Sequence, residues 1–187
     1  MTKGSVYIAT SLDGYIAKAD GDIDWLNNIP PPAKEEGDMG FAAYLASVDC
    51  MVMGRNTFDK VLSFGKDVWP YGTLKVVVWS RTMKPDDIPD YRRDTVSCSA
   101  LPPKELMQEL QDNGHKKAYI DGGVTVQEFL KAGMVQEICL SLAPILLGSG
   151  IKLFPTDGPQ FNLKLKESMS YSNGMVQSTY EVLPNEE

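Results

Sequence analysis

The spacing of hydrophobic residues changes period several times along this chain, and each change marks an element. Lys117–Gly133 shows this most fully: an apolar run at Ala118–Asp121, then Gly122-Gly123, then Val126, Phe129 and Leu130 at i, i+3, i+4. The pattern predicts a buried strand, a diglycine turn and an amphipathic helix closed by Gly133. Ser5–Ser11 is rich in β formers and reads as a first strand ended by Asp13-Gly14, after which Tyr15–Ala17 resumes briefly. Asp38–Ser47 predicts a helix with Phe41, Tyr44, Leu45 and Val48 on one face. Cys50–Met53 reads as a buried strand stopping at Gly54, and Arg55–Ser63 as the helix after it. Lys75–Ser80 is continuously apolar, as parallel strands covered on both faces are. A short strand is expected at Thr95–Ser97, and Pro103 opens a helix through Leu106, Met107 and Leu110 that ends at Asn113-Gly114. Glu137–Ala143, Asn162–Ser170 and Val176–Val182 alternate as strands, the last two joined across Ser172-Asn173-Gly174, a hairpin signal.

Strands alternating with helices and closing on a hairpin predict one α/β domain over residues 1–187. Its sheet is expected to be mixed and mostly parallel, with antiparallel C-terminal strands and helices on both faces. A net charge of −7 with no basic tract argues against nucleic acid or an anionic membrane as partner. Ser5–Ala9 is too short for a signal-peptide core, and no apolar run approaches membrane-spanning length. Cys50, Cys98 and Cys139 are odd in number and widely spaced, so they are expected to be reduced thiols in a cytoplasmic protein. The single histidine, His115, reads as a loop residue, and no metal site can be assembled around it.

Chemistry is expected outside the carboxyl ends of the parallel strands. Three strands end in groups suited to phosphate: Gly54-Arg55-Asn56-Thr57, Ser80-Arg81 and Gly122-Gly123-Val124-Thr125. Together they place two arginines, three hydroxyls and two helix starts on one sheet edge, an arrangement suited to a dinucleotide with an extra phosphate. A Gly-x-Gly-x-x-Gly fingerprint is absent.

Five motifs in order, Ser11-Leu-Asp-Gly-Tyr-Ile-Ala17, Asp24-Trp-Leu26, Met53-Gly-Arg-Asn-Thr-Phe58, Ile120-Asp-Gly-Gly123 and Pro144-Ile-Leu-Leu-Gly-Ser-Gly150, resemble the dihydrofolate-reductase superfamily. The likeness is to the branch shared with the reductase domain of the riboflavin-pathway deaminase–reductase, and it covers Val6 to about Val182. It implies NADPH bound across the strand ends and hydride transfer to a heterocycle. By that resemblance Gly54, Arg55, Asn56 and Thr57 match the cofactor turn, with the arginine and Ser80, beside Arg81, facing the adenosine 2′-phosphate. Gly122, Gly123, Val124 and Thr125 match the turn along the pyrophosphate, while Ala9 and Ile16 match positions lining the nicotinamide. Asp38, sixteen positions before Gly54, matches the superfamily's ring-binding acid, expected to be buried with a raised pKa. Its alternative role is a helix cap. Thr73 stands where folate reductases carry the arginine that grips the folate tail, so this chain is expected to be a poor dihydrofolate reductase.

The expectation is an NADPH-dependent reductase acting on a pterin or an aminopyrimidine, forming a homodimer through the C-terminal strands. Its rival is a nucleotide-binding or assembly module that kept the fold and lost catalysis. A flavodoxin-like FMN site is disfavoured, since Ser11-Leu-Asp-Gly14 is a poor phosphate loop.

Overall fold

The computed structural model describes residues 1–154 and 158–184. Its strands are β1 (Lys3–Ser11), β2 (Tyr15–Ala17), β3 (Cys50–Gly54), β4 (Lys75–Trp79), β5 (Val96–Ser99), β6 (Lys117–Asp121), β7 (Glu137–Ala143), β8 (Ile151–Lys152), β9 (Leu163–Ser170) and β10 (Val176–Val182). Its helices are α1 (Asp24–Asn27), α2 (Phe41–Ala46), α3 (Arg55–Ser63), α4 (Pro103–Asp112) and α5 (Gly123–Lys131). One eight-stranded sheet runs β5-β4-β3-β6-β1-β7-β10-β9, and β2 pairs separately with β8. Strands β5 to β7 in that order are parallel, while β10 and β9 are antiparallel. The fold class read from the sequence is therefore the observed one.

Strand alternation sends successive side chains to two separate layers. Val52, Val77, Ala118 and Ile120 meet Leu106, Met107 and Leu110 of α4 and Val126, Phe129 and Leu130 of α5. Met51, Met53, Val76, Val78 and Tyr119 meet Tyr44 of α2 and Phe58 and Val61 of α3. Each buried large side chain contributes about 1.5–3 kcal/mol, so the central strands, apolar on both faces, anchor the domain. Cys50 and Cys139 are buried, and burial pushes the Cys50 thiol up to about 12, so it packs as a hydrophobe. No helix among the described residues is long and apolar enough to cross a membrane.

The structure corrects one helix. The expected helix at Asp38–Ser47 begins only at Phe41, because Met39 (φ 60) and Gly40 (φ 86) both take left-handed backbone conformations first. Val48 lies beyond its end yet is buried.

Asp13 joins two distant stretches at the end of β1. Its carboxylate accepts the Ser11 hydroxyl (2.6 Å) and the amides of Leu147 (3.1 Å) and Gly148 (2.7 Å). The Ser11 hydroxyl, followed by these backbone donors, holds the Asp13 carboxyl down to about 2. The 144–150 loop is thereby fixed beside the sheet edge and delivers β8 to β2. Gly150 completes this join with φ +146, and a Cβ there would lie 2.2 Å from the Ala17 carbonyl oxygen. Gly150→Ala should cost about 1–3 kcal/mol, several degrees in Tm. Gly148→Ala, which meets no atom within 4 Å, should cost less despite its own φ of +74. Paired thermal melts check this; equal losses would show that the Ala17 contact carries no cost.

Candidate functional site

β3 and β6 lie side by side, end in glycine-containing turns, and pass directly into helices. The two turns interlock. A Cβ on Gly122 would lie 2.5 Å from Thr57 Oγ1, and one on Gly54 would lie 2.9 Å from Thr125 Oγ1. Each first-turn threonine hydroxyl thus rests against the glycine of the other turn. Gly122 has φ +93, a conformation open to glycine at little cost. Both helices are nine residues long, and no side chain caps either start. Their first-turn amides therefore project a positive field from the same stretch of edge.

The predicted cofactor residues follow this edge across four neighbouring strands: Ser80 and Arg81 after β4, Gly54 to Thr57 after β3, Gly122 to Thr125 after β6, and Ala9 in β1. Several are already engaged within the chain. Arg55 pairs with Asp59 (Nε–Oδ2 3.5 Å) and Asp87 (Nη1–Oδ2 3.6 Å). Ser80 Oγ accepts the amides of Thr82 (3.3 Å) and Met83 (3.2 Å), folding the loop after β4 back on itself. Arg81 is exposed, with no carboxylate partner among the described residues. Asn56 and Val124 are exposed, whereas Thr125 is buried. Gly123 is also buried, and a Cβ there would meet Ile16 Cδ1 at 2.8 Å. The nearest neighbour of a Cβ at 123 is the terminal methyl of this chain's own Ile16, brought over by β2, a contact that a small side-chain shift relieves.

Asp38 is exposed, which overturns the expectation of a buried carboxylate. Its oxygens accept the amides of Gly40 (3.0 Å) and Ala42 (2.7 Å), so it caps the approach to α2. The carboxyl group raised by burial is instead Asp121, the last residue of β6, pushed up to about 6. Asp121 is half-buried beside the packed layer of Tyr44, Tyr71 and Tyr119, and desolvation there outweighs the Gly122 amide, which acts to lower its pKa. Tyr119, Tyr44 and Tyr71 on the same face are raised mainly by desolvation, with the Asp121 charge adding to each. In the sequence Asp121 stands out only as part of the Ile120-Asp-Gly-Gly123 motif. The available signal was a carboxylate closing an otherwise apolar strand.

A second polar group lies on the same face, across β1, β7 and β10. Tyr7 donates its hydroxyl to the Met39 carbonyl (2.8 Å) and accepts from Gln177 Nε2 (2.9 Å), which also donates to Ser141 Oγ (3.0 Å). Tyr171 donates to Gln177 Oε1 at 3.3 Å. Beside them Trp25 packs with Ala143 and Met175, against Ala9 and Met39. The Trp25 indole nitrogen and the Thr10 hydroxyl are buried without a hydrogen-bond partner. Thr73 lies elsewhere, in an open groove with Leu45, Asp49 and Tyr71, near the beginnings of β3 and β4.

Asp121 should make stability depend on pH. Between its unfolded value near 4 and about 6, the folded chain holds a proton that the unfolded chain releases, so stability falls as pH rises through that window. Asp121→Asn should therefore be more stable than wild type at pH 7.5 by on the order of 2–3 kcal/mol, and equal to it near pH 3.5. Urea unfolding at the two pH values reads this directly, and a difference independent of pH would contradict it.

Comparison with known proteins adds to this geometry. Residues 3–177 match the RibD C-terminal domain. YwjB of Bacillus subtilis, an uncharacterized protein, is 32% identical over 176 residues, covering 92% of this chain and 94% of that protein. The riboflavin biosynthesis protein RibD of Mycobacterium tuberculosis is 30% identical over 152 residues, which span 76% of this chain and 42% of RibD. A solved structure from Shewanella sp. PV-4, assigned to riboflavin biosynthesis, superposes with a TM-score of 0.88 at 40% identity, covering 97% of this chain and 99% of that one.

Proposed function

The chain belongs to the RibD C-terminal domain family, and from that premise we propose that it is an NADPH-dependent reductase that transfers hydride to a small heterocycle of the pterin or aminopyrimidine kind. The observation that carries this reading is the interlocked pair of uncapped helix starts at Gly54–Thr57 and Gly122–Thr125. Two such starts on adjacent parallel strands match the two negative groups of a pyrophosphate. Arg55, Ser80 and Arg81 would hold the adenosine 2′-phosphate, and Ala9 and Ile16 would line the nicotinamide. When bound, NADPH supplies the hydride, and the protein contributes orientation and electrostatics. Asp38 would accept N–H groups of the substrate ring with the lone pairs its amide contacts leave free. Asp121, titrating close to neutrality, would exchange a proton at that same edge.

Arg55 is shared with two carboxylates, and this sets the expected size of the preference for NADPH over NADH. A charge-assisted contact contributes about 1.5–3 kcal/mol, and competition from Asp59 and Asp87 places the effect at the low end. Wild type should prefer NADPH by roughly tenfold, Arg55→Ala should lose that preference, and Asp87→Asn should enlarge it. Fluorescence titration with both cofactors is the check. Equal affinities in wild type, or no effect of Arg55→Ala, would remove the 2′-phosphate assignment.

One observation favours the rival reading of a non-catalytic nucleotide-binding module: Asp38 is an exposed cap. Steady-state NADPH oxidation with a tail-less dihydropterin, beside dihydrofolate, separates the two. The reductase reading expects turnover of the tail-less ring and little of dihydrofolate, since Thr73 offers no cation to a carboxylate tail. Tight NADPH binding with no oxidation by any pterin or aminopyrimidine would favour the module. For quaternary structure, a homodimer formed through the C-terminal hairpin is proposed. Exposed Leu163, Leu165, Met169 and Val176 support it.

A further inference from the structure

Between α1 and α2 the chain makes an excursion, residues 28–40, whose ends are packed and whose middle is not. Ile29 near one end and Met39 near the other join the cluster of Trp25, Ala143 and Met175, which also takes in Ala9. No residue of 30–38 is buried, so hydrogen bonds rather than apolar contacts hold this stretch down. Pro30-Pro31-Pro32 and a single 3-10 turn at Lys34–Glu36 stiffen it. Glu36 Oε2 accepts the Ala33 amide (2.9 Å), which knits the turn to itself.

The stretch is fastened to the tip of the β9–β10 hairpin. Ser172 Oγ accepts the Ala33 amide (2.7 Å) and donates to Glu36, and the Ser172 amide donates to Glu36 Oε1 (3.1 Å). Asn173 Nδ2 donates to the Pro30 carbonyl (3.1 Å). Water competes for these bonds, because most of them lie at the surface. At the other end the backbone turns left-handed three times in four residues, at Gly37 (φ 65), Met39 (φ 60) and Gly40 (φ 86).

This closed arrangement carries two local costs. Met39 takes a conformation uncommon outside glycine, and the Trp25 indole nitrogen, in the cluster that Met39 and Ile29 cover, is buried with no acceptor. Lifting the stretch would relax the first and let water satisfy the second. A segment held by a few surface hydrogen bonds against two such costs belongs to the low-stability end of a fold.

We propose that residues 30–36 form a strap that swings as one body about Gly37–Gly40, that Ser172 and Asn173 are its latch, and that opening uncovers Trp25 and Ala9. The proposal rests on the reductase reading only for what would enter, since Ala9 is assigned there to the nicotinamide end of the cofactor. Its control point is the C-terminal hairpin, at the far edge of the sheet.

The test needs neither cofactor nor substrate. Amide hydrogen exchange by NMR reads the strap, and the fluorine line of 5-fluorotryptophan at position 25, relaxed by a neutral gadolinium chelate, reads what the strap covers. The Gly40 amide is bonded to Asp38 and to no latch residue, so it reports on the hinge alone. Ser172→Ala should speed exchange at Ala33 and Gly40 by the same factor, about three- to tenfold. It should also increase relaxation of the Trp25 line, leaving Trp79, which donates to Leu101 on the other face, as in wild type. Glu36→Ala, which leaves the hairpin untouched, should do the same, and unchanged exchange in β9 and β10 separates loss of the latch from loss of the hairpin. Acceleration confined to Ala33, or a Trp25 line that neither variant alters, would overturn the proposal. A chain that opens in this way and oxidises no NADPH would keep the strap and lose the reductase. Turnover in a chain whose Trp25 line never responds would do the reverse.

Discussion

The contact on which the site depends is the mutual seating of two threonine hydroxyls on two glycines. Thr57 sits against Gly122 and Thr125 against Gly54, at distances that leave no room for a Cβ on either glycine. This holds the starts of α3 and α5 together at neighbouring strand ends, with no side-chain cap on either. Packing also explains why the arrangement is stable without capping. Phe58 and Val61 bury α3 on one face of the sheet, and Val126, Phe129 and Leu130 bury α5 on the other. The helix starts are thus positioned by tertiary burial, and their amides remain free for a ligand.

Around that centre the chain fastens its loops with carboxylates. Asp13 pins the 144–150 loop, Asp38 caps α2, Asp49 accepts the amides of Lys116 and Lys117 (2.6 and 2.8 Å), and Glu36 holds the hairpin tip through Ser172. Each of these is an anion satisfied by backbone amides, a use of charge that needs no counter-ion. Asp121 departs from this pattern. Its burial, opposed by the Gly122 amide, raises its pKa instead, and such a group at a strand end is a common mark of a working site.

Elements with a strong period were legible in the sequence. The unbroken apolar run of β4, the i, i+3, i+4 stripe of α5 and the Asn173-Gly174 hairpin all stand where periodicity puts them. The start of α2 was not legible from the apolar stripe, because Phe41, Tyr44 and Leu45 say nothing of the left-handed backbone at Met39 and Gly40. The burial expected of Asp38 came from the resemblance to the superfamily's ring-binding acid, and its exposure could not be read from spacing. Partners brought together by folding were harder still. Arg55 meets Asp87 only because the loop after β4 folds back on Ser80, and Gln177 reaches Tyr7 across a separation of 170 residues. Sequence spacing could suggest Asp59 as the partner of Arg55, since the two are four apart on a helix, but it carries no information about the second contact.

The central claim is that the two interlocked turns act as one binding unit. Amide chemical shifts of the isotopically labelled protein, followed by NMR during titration with NADPH, test it most directly. The account predicts that Gly54–Thr57 and Gly122–Thr125 shift together and saturate at one common affinity. Shifts confined to one turn, or distributed away from this edge of the sheet, would contradict it.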